Sequence, residues 1–312
     1  MVRNIRPAGT VSLVVTSRLL MTASLAAAVV GGQACVVSVD HEGAIERVDK
    51  RFTVDKTASL SLYSFDGGIE VRSWDKPEVL VQIEKRGQDK DAVSKIDILS
   101  DQKGDQVTVE ARYSGKSGFV GLGFYRSPSA RLIANVPRNI NLTLRTGDGA
   151  VTVERVNGRT EIHTGDGAIH ATETSGDLLA ETSDGSIQID DVAGRVEART
   201  GDGSIRLTGT PNALRARSGD GSIVLRIRDG ATMTEDWMVA TGDGTVSVEL
   251  PNNFNAEIEA EPSSDGRVRN ELTLTSQTGG TRESRTLKGR LGEGGKKMTL
   301  RTSDGTIRLT NY

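Results

Sequence analysis

The sequence predicts an all-β fold, a parallel β-solenoid with two short strands in each 18-residue rung. Three observations predict it. Thr-Gly-Asp-Gly or a close variant returns at a fixed interval, so that Asp148, Asp166, Asp184, Asp202 and Asp220 stand 18 residues apart. A second row, Gly158, Gly176, Gly194 and then Asn212, keeps the same period. After each Gly-Asp-Gly or Ser-Asp-Gly turn apolar residues alternate with polar ones: AVTV (150–153), AIHA (168–171), SIQI (186–189), SIRL (204–207) and SIVL (222–225). Self-similarity at a fixed period marks a repeat architecture, and period-two alternation marks a half-buried strand. Composition agrees. The chain has 312 residues, 36% of them hydrophobic and 4% aromatic, and it holds 36 glycines. That suits a thin, turn-rich body around a narrow stack of small aliphatic side chains.

The first element is a leader. Arg3, Arg6 and Arg18 form a positive n-region, Leu19 to Val30 an apolar h-region of 12 residues, and Gly32-Gln33-Ala34 a small-x-small cleavage site. A membrane span is the alternative, but it needs about 18 or more apolar residues, and Arg18 interrupts the apolar run. Residues 1–34 are therefore expected to be an export signal. The only cysteine, Cys35, follows directly. Alone in an exported chain, it has no intramolecular disulfide partner. The site resembles a bacterial lipobox, with Ala34 in the last position and Gly31, Gly32 and Gln33 in place of the usual aliphatic and small residues. The expectation is a lipid anchor at Cys35 with 35–50 as its tether. The alternative is a secreted protein with a free thiol. Loss of the three leader arginines takes the formal net charge from −3 to −6, and a mildly acidic chain without a basic block is a poor nucleic-acid binder.

Residues 51–128 read as irregular N-terminal strands and capping rungs. Leu60, Leu62, Ile69, Val71, Val79, Val81 and Ile83 alternate with polar residues, and Ile96, Ile98, Val107, Val109 and Ala111 repeat the pattern. The segment 114–128 mixes four glycines with Phe119, Phe124 and Tyr125 and reads as a mobile aromatic loop, or as a contact loop for a partner or membrane. Its Gly115-Lys116-Ser117 is not a phosphate-binding loop, because Glu110 holds the required upstream glycine position.

The span 129–312 is the regular solenoid with a C-terminal closing rung. One such unit cannot bury its apolar face alone. Stacking copies about 4.8 Å apart pairs each strand with its equivalents and builds one core. The glycines are expected to supply tight reversals, often at positive φ, with Asn212 tolerating the same left-handed conformation. The spacing loosens at Asp243 and Asp265. Residues Leu287 to Gly295 read as a glycine-rich turn before the last rung, LRTSDGTIRLTNY. Bare solenoid ends invite edge pairing, so 51–128 and Asn311-Tyr312 are the candidate caps.

The T-G-D-G-x-[IV] array, the ending GRLGEGGKKMTLRTSDGTIRL (289–309) and the opening YSFDGGIEVRSWDKPEVLVQ (63–82) resemble the bacterial DUF4097 family of β-strand-repeat proteins, often labelled adhesins. The resemblance covers about 51–312. It implies the fold. It carries over no catalytic residue, because the family has none agreed, and the adhesin label is itself a fold-level analogy.

The aspartate row is the sharpest candidate ligand site. Carboxylates 4.8 Å apart repel by about 0.9 kcal/mol per neighbouring pair in water. Calcium would relieve this, and calcium β-rolls also turn every 18 residues, but they carry G-G-x-G-x-D-x-U-x at both turns. Here one turn per rung holds an acid. The expectation is that each Asp caps its own turn and splays toward solvent, with Arg145, Arg199 and Arg217 softening the repulsion. Two outward ladders are expected: Thr152, His170, Gln188, Arg206 and Val224, and Thr143, Glu161, Leu179, Glu197 and Arg215. Neither is a single-sign stripe or an aromatic platform. His163 and His170 flank one turn without a spaced third ligand, and no G-x-S-x-G turn occurs. No metal, cofactor or enzymatic activity is expected. The sequence reads as a non-enzymatic exported envelope protein that binds a protein or glycan partner and reaches the membrane through Cys35. A periplasmic scaffold or signalling accessory is the second class, and a polysaccharide-active enzyme the third.

Overall fold

The computed structural model describes residues 35–40, 43–55, 58–115, 127–263, 265–278 and 283–312. The chain divides into two units, Met1–Gly32 and Gln33–Tyr312. All described residues belong to the second, so the leader expected over 1–34 lies outside them, as does 116–126 of the aromatic loop. Among the described residues no helix is long and apolar enough to cross a membrane.

The fold is a parallel β-solenoid. In each regular rung a strand on one face leads through the Gly-Asp-Gly turn to a strand on the other face, and a second turn returns the chain to the first. Thr160–Thr164 pairs in parallel with Asn141–Thr146 on one side and Ser175–Thr182 on the other. On the second face Ile169–Thr172 lies between Val151–Glu154 and the start of Ile187–Thr200. The register holds equivalent residues of successive rungs against one another, so aliphatic side chains stack on aliphatic ones. Leu62, Leu144, Ile162, Ala180, Ala198 and Ala216 form one buried column, and Ile69, Val151, Ile169, Ile187, Ile205 and Ile223 form a facing one. The valine or isoleucine after each turn therefore points inward, as its alternation demands.

Both ends of the stack depart from chain order. Ser59–Ser64 lies between Gln106–Tyr113 and Asn141–Thr146, and Ile69–Trp74 lies between Ser129–Pro137 and Val151–Glu154. The first rung is thus enclosed by a later one. The C-terminal end mirrors this. Lys297–Thr302 inserts between Trp237–Ala240 and Ala256–Pro262, and Thr306–Asn311 between Val246–Leu250 and Arg267–Asn270. The last rung in sequence is the penultimate one in space. The expected C-terminal cap at Asn311-Tyr312 is corrected accordingly: the cap is the excursion over 256–291, closed by the antiparallel pairing of Ala256–Pro262 with Leu287–Leu291. Buried Asn270 ends one apolar column, its side chain bonded to the backbone of Leu272 at 3.1 and 3.2 Å.

Other local expectations are revised. Residues 35–50 are not a tether. Cys35–Asp40 pairs with Gly43–Thr53, which in turn pairs antiparallel with Glu78–Gly87 over ten residues. Leu287–Leu291 is a strand, and only Gly292, Gly294 and Gly295 form the turn, at φ of 57, 78 and 125°. Asn212 does not take the left-handed conformation. It is the extra residue where the register shifts between Gly194 and Arg195, and its carbonyl accepts the indole N–H of buried Trp237 at 3.3 Å. Lys90–Ser94 forms one short helix, capped by Asp89 through the Ala92 N–H.

The cap is also held by charge. Glu259 accepts from Lys288 and lies 3.3 Å from Lys297. The Lys288 ammonium, and after it Lys297, hold the Glu259 carboxyl below its ordinary range. A carboxyl depressed in the folded state adds stability above its unfolded pKa and loses it as pH falls through the folded value. Acid destabilisation of the cap is therefore expected on the acid side of the ordinary carboxylate range. Thermal melts of Glu259→Gln across that range should show a flatter pH dependence than the wild type.

Candidate functional site

The repeated turn is built by threonine and glycine, with aspartate on its outer side. The threonine two residues before each aspartate of the row is buried: Thr146, Thr164, Thr182 and Thr200, with Ser218 in the same place. Its hydroxyl donates to glycine carbonyls of the preceding rung. Thr182 reaches the Gly165 and Gly167 oxygens at 2.8 and 3.0 Å, and Ser218 reaches the Gly203 oxygen at 2.8 Å. The same oxygen accepts from its own turn, as Thr200 does from the Gly203 N–H at 3.2 Å. This hydroxyl ladder supplies partners for the polar backbone that each turn would otherwise bury unpaired.

The glycines are required for space. A Cβ on Gly203 would stand 2.0 Å from the Gly185 carbonyl oxygen, and one on Gly185 2.0 Å from that of Gly167. Their φ values are not positive. Positive φ belongs to the second turn, at Gly158, Gly176 and Gly194, with Arg155, Glu173 and Asp191 as its non-glycine members. Within the regular repeats the expectation of positive φ thus applies to the second-turn row, while in the first-turn stack it is met only at Gly67 of the opening rung.

Asp148, Asp166, Asp184, Asp202 and Asp220 are all exposed and aligned along one edge. In three of these turns the N–H of the glycine after the aspartate goes to the hydroxyl of Thr182, Thr200 or Ser218 instead of to the carboxylate. Nor do the expected arginines serve them. Arg199 binds Glu181 and Glu197, and Arg217 lies 3.1 Å from the Met238 sulfur. Among the described residues no group of three or more His, Cys, Asp or Glu side chains is arranged to hold a metal. Asp202→Asn is expected to move stability by no more than about 0.5 kcal/mol, as surface changes do. Thermal unfolding midpoints in EDTA and in Ca²⁺ should coincide; a rise with Ca²⁺ that Asp202→Asn reduces would instead make the row a calcium site.

Both expected outward ladders form. Thr152, His170, Gln188, Arg206 and Val224 are register partners on one face, extended by Ser247 and Arg308. Thr143, Glu161, Leu179, Glu197 and Arg215 are partners on the other. His163 and His170 fall on opposite faces, and His163 Nδ1 instead lies 3.0 Å from Glu181. The sequence reading missed a third ladder, Glu110, Tyr63, Arg145, His163, Glu181, Arg199 and Arg217. Arg145, His163, Glu181, Arg199 and Arg217 keep the 18-residue period and were open to it, whereas Tyr63 precedes the 75–128 excursion and Glu110 lies within it, outside that period. Cys35 opens its strand opposite Val48.

A family model described as Toastrack DUF4097 matches residues 57–310. Solved structures are also similar. A candidate cell adhesion protein from Clostridium sporogenes is 15% identical with a TM-score of 0.29, over 85% of this chain and 99% of the other. A candidate adhesin from Bacteroides fragilis is 13% identical with a TM-score of 0.34, over 84% and 96%. A candidate lipid binding protein from Parabacteroides distasonis is 12% identical with a TM-score of 0.37, over 84% and 96%. No curated protein matches the chain.

Proposed function

The chain belongs to the Toastrack DUF4097 family, and from that premise we propose that it is a non-enzymatic, exported envelope protein that presents its solenoid faces to a protein or glycan. The observation that carries this reading is the pair of register-locked outward ladders. Each repeats a solvent-facing side chain at rung spacing on a rigid core. Such a surface offers evenly spaced weak contacts to a repetitive partner, and linked weak contacts add avidity. Export is supported by the charged and apolar leader pattern in 1–34, and anchoring by Cys35 immediately after it.

The strand that begins at Cys35 favours a second reading. Its pairing with Gly43–Thr53 leaves no free linker between the proposed lipid and the sheet. A body held that close to a bilayer suits a periplasmic scaffold or signalling accessory with a membrane partner. Protease shaving of intact cells separates the two. Digestion of the solenoid supports surface adhesion, whereas protection until the outer envelope is opened supports the periplasmic role. Recovery of the uncleaved chain from the cytoplasm would refute both.

A further inference from the structure

One end of the first face differs from the rest. Tyr63, Phe65 and Tyr113 gather in a surface depression of about 450 Å³ that also takes in Glu110, Arg112 and Arg145. Aromatic residues make up only 4% of the chain, so three in one depression is a local concentration. The Phe65 and Tyr113 rings stack with centroids 5.7 Å apart and rest on the core as partly buried groups. Tyr63 faces outward between Glu110 and Arg145 on the neighbouring strands. Glu110 is already neutralised, since Arg112 donates to both its oxygens at 2.5 and 2.7 Å. Arg145 is exposed, and among the described residues no carboxylate pairs with it. The depression therefore joins an aromatic surface to one uncompensated guanidinium.

We infer that this depression binds a carboxylate-bearing saccharide of the uronic acid class. The inference rests on the glycan half of the reading above and gives it a site. The apolar C–H face of a sugar ring packs on an amphipathic aromatic such as Tyr63. A guanidinium takes a carboxylate through two parallel hydrogen bonds, which assigns the acid group to Arg145. The next rung continues the surface with His163, the register partner of Arg145, so a chain of sugars running along the stack meets a further polar group.

The test is calorimetric titration of the full-length protein with hexagalacturonate and with cellohexaose, a neutral hexamer. Arg145→Gln and Tyr63→Ala serve as variants, with thermal melts as the folding control. Hexagalacturonate should bind about tenfold or more tightly than cellohexaose, as expected when a charge-assisted hydrogen-bonded pair is present. Each variant should weaken the uronate by roughly tenfold with an unchanged melt. Uronate binding that neither variant alters would overturn this site. Failure to bind uronate while other sugars on a glycan array are retained would also overturn it, and would leave the glycan reading standing. Silence across the whole array, acidic and neutral, would overturn the glycan reading as well.

Discussion

Gly203→Val is expected to destabilise the protein by about 3 kcal/mol or more, because overpacking here is against backbone that cannot move aside. The added Cβ would lie 2.0 Å from the Gly185 carbonyl oxygen, 2.5 Å from its carbon and 2.8 Å from the Thr200 hydroxyl. Relief requires the rungs to separate, which breaks the parallel pairing of Ile187–Thr200 with Ile205–Ser218 on both faces. For a chain of this size such a loss lowers the unfolding midpoint by about 6 °C or more. Thr200→Val is the companion variant. It leaves the Gly203 N–H and the Gly185 oxygen without the hydroxyl they share, at about 1–3 kcal/mol for orphaned buried groups. Asp202→Asn, between them in sequence, should leave the midpoint almost unmoved. If the Asp202 variant is the damaging one and Gly203→Val melts like the wild type, the description of the turn is wrong.

Truncation after Gly295 is expected to release far more than the residues removed. The deleted rung buries Met298, Leu300, Ile307 and Leu309 completely, roughly 6–12 kcal/mol of gross apolar burial. It also sits inside the stack, so its loss strips Ala256–Pro262 and Arg267–Asn270 of their parallel partners. Because each repeat is stabilised by its neighbours, damage should stay local. Limited proteolysis should cut within 256–291 while 140–227 resists. A truncated chain in which 256–291 remains resistant would mean that the excursion packs directly on Trp237–Leu250, contrary to the rung order described here.

The solenoid was legible because its signal is local and repeated. Alternation at Ile187 and Ile189, or at Ile205 and Leu207, assigns a strand and its inward face within four residues, and the 18-residue period then fixes which strands meet. The departures lie where that period fails. Nothing local in LRTSDGTIRL distinguishes a terminal rung from one that slides between two others, since its apolar pattern matches both neighbours. Gly43–Thr53 escaped because its burial is irregular, with Ala44 and Val48 buried and few alternating partners between them. The hydroxyl ladder was visible as Thr or Ser in every repeat, but its role is a contact between rungs and has no signature in a single turn. The Tyr63–Arg145 pair spans the 75–128 excursion, which hides it from any fixed spacing. Glycine carried two physical reasons in one symbol: close approach at Gly185 and Gly203, and positive φ at Gly176 and Gly194.

The most direct test of the proposed role is fractionation of cells that produce the wild type or Cys35→Ser, with mass analysis of the mature N-terminus. The account predicts a wild type that begins at an acylated Cys35 and sediments with membranes, and a Cys35→Ser protein released in soluble form outside the cytoplasm. Wild type and variant that are both soluble, with an unmodified thiol at Cys35 or an uncleaved leader, would contradict it.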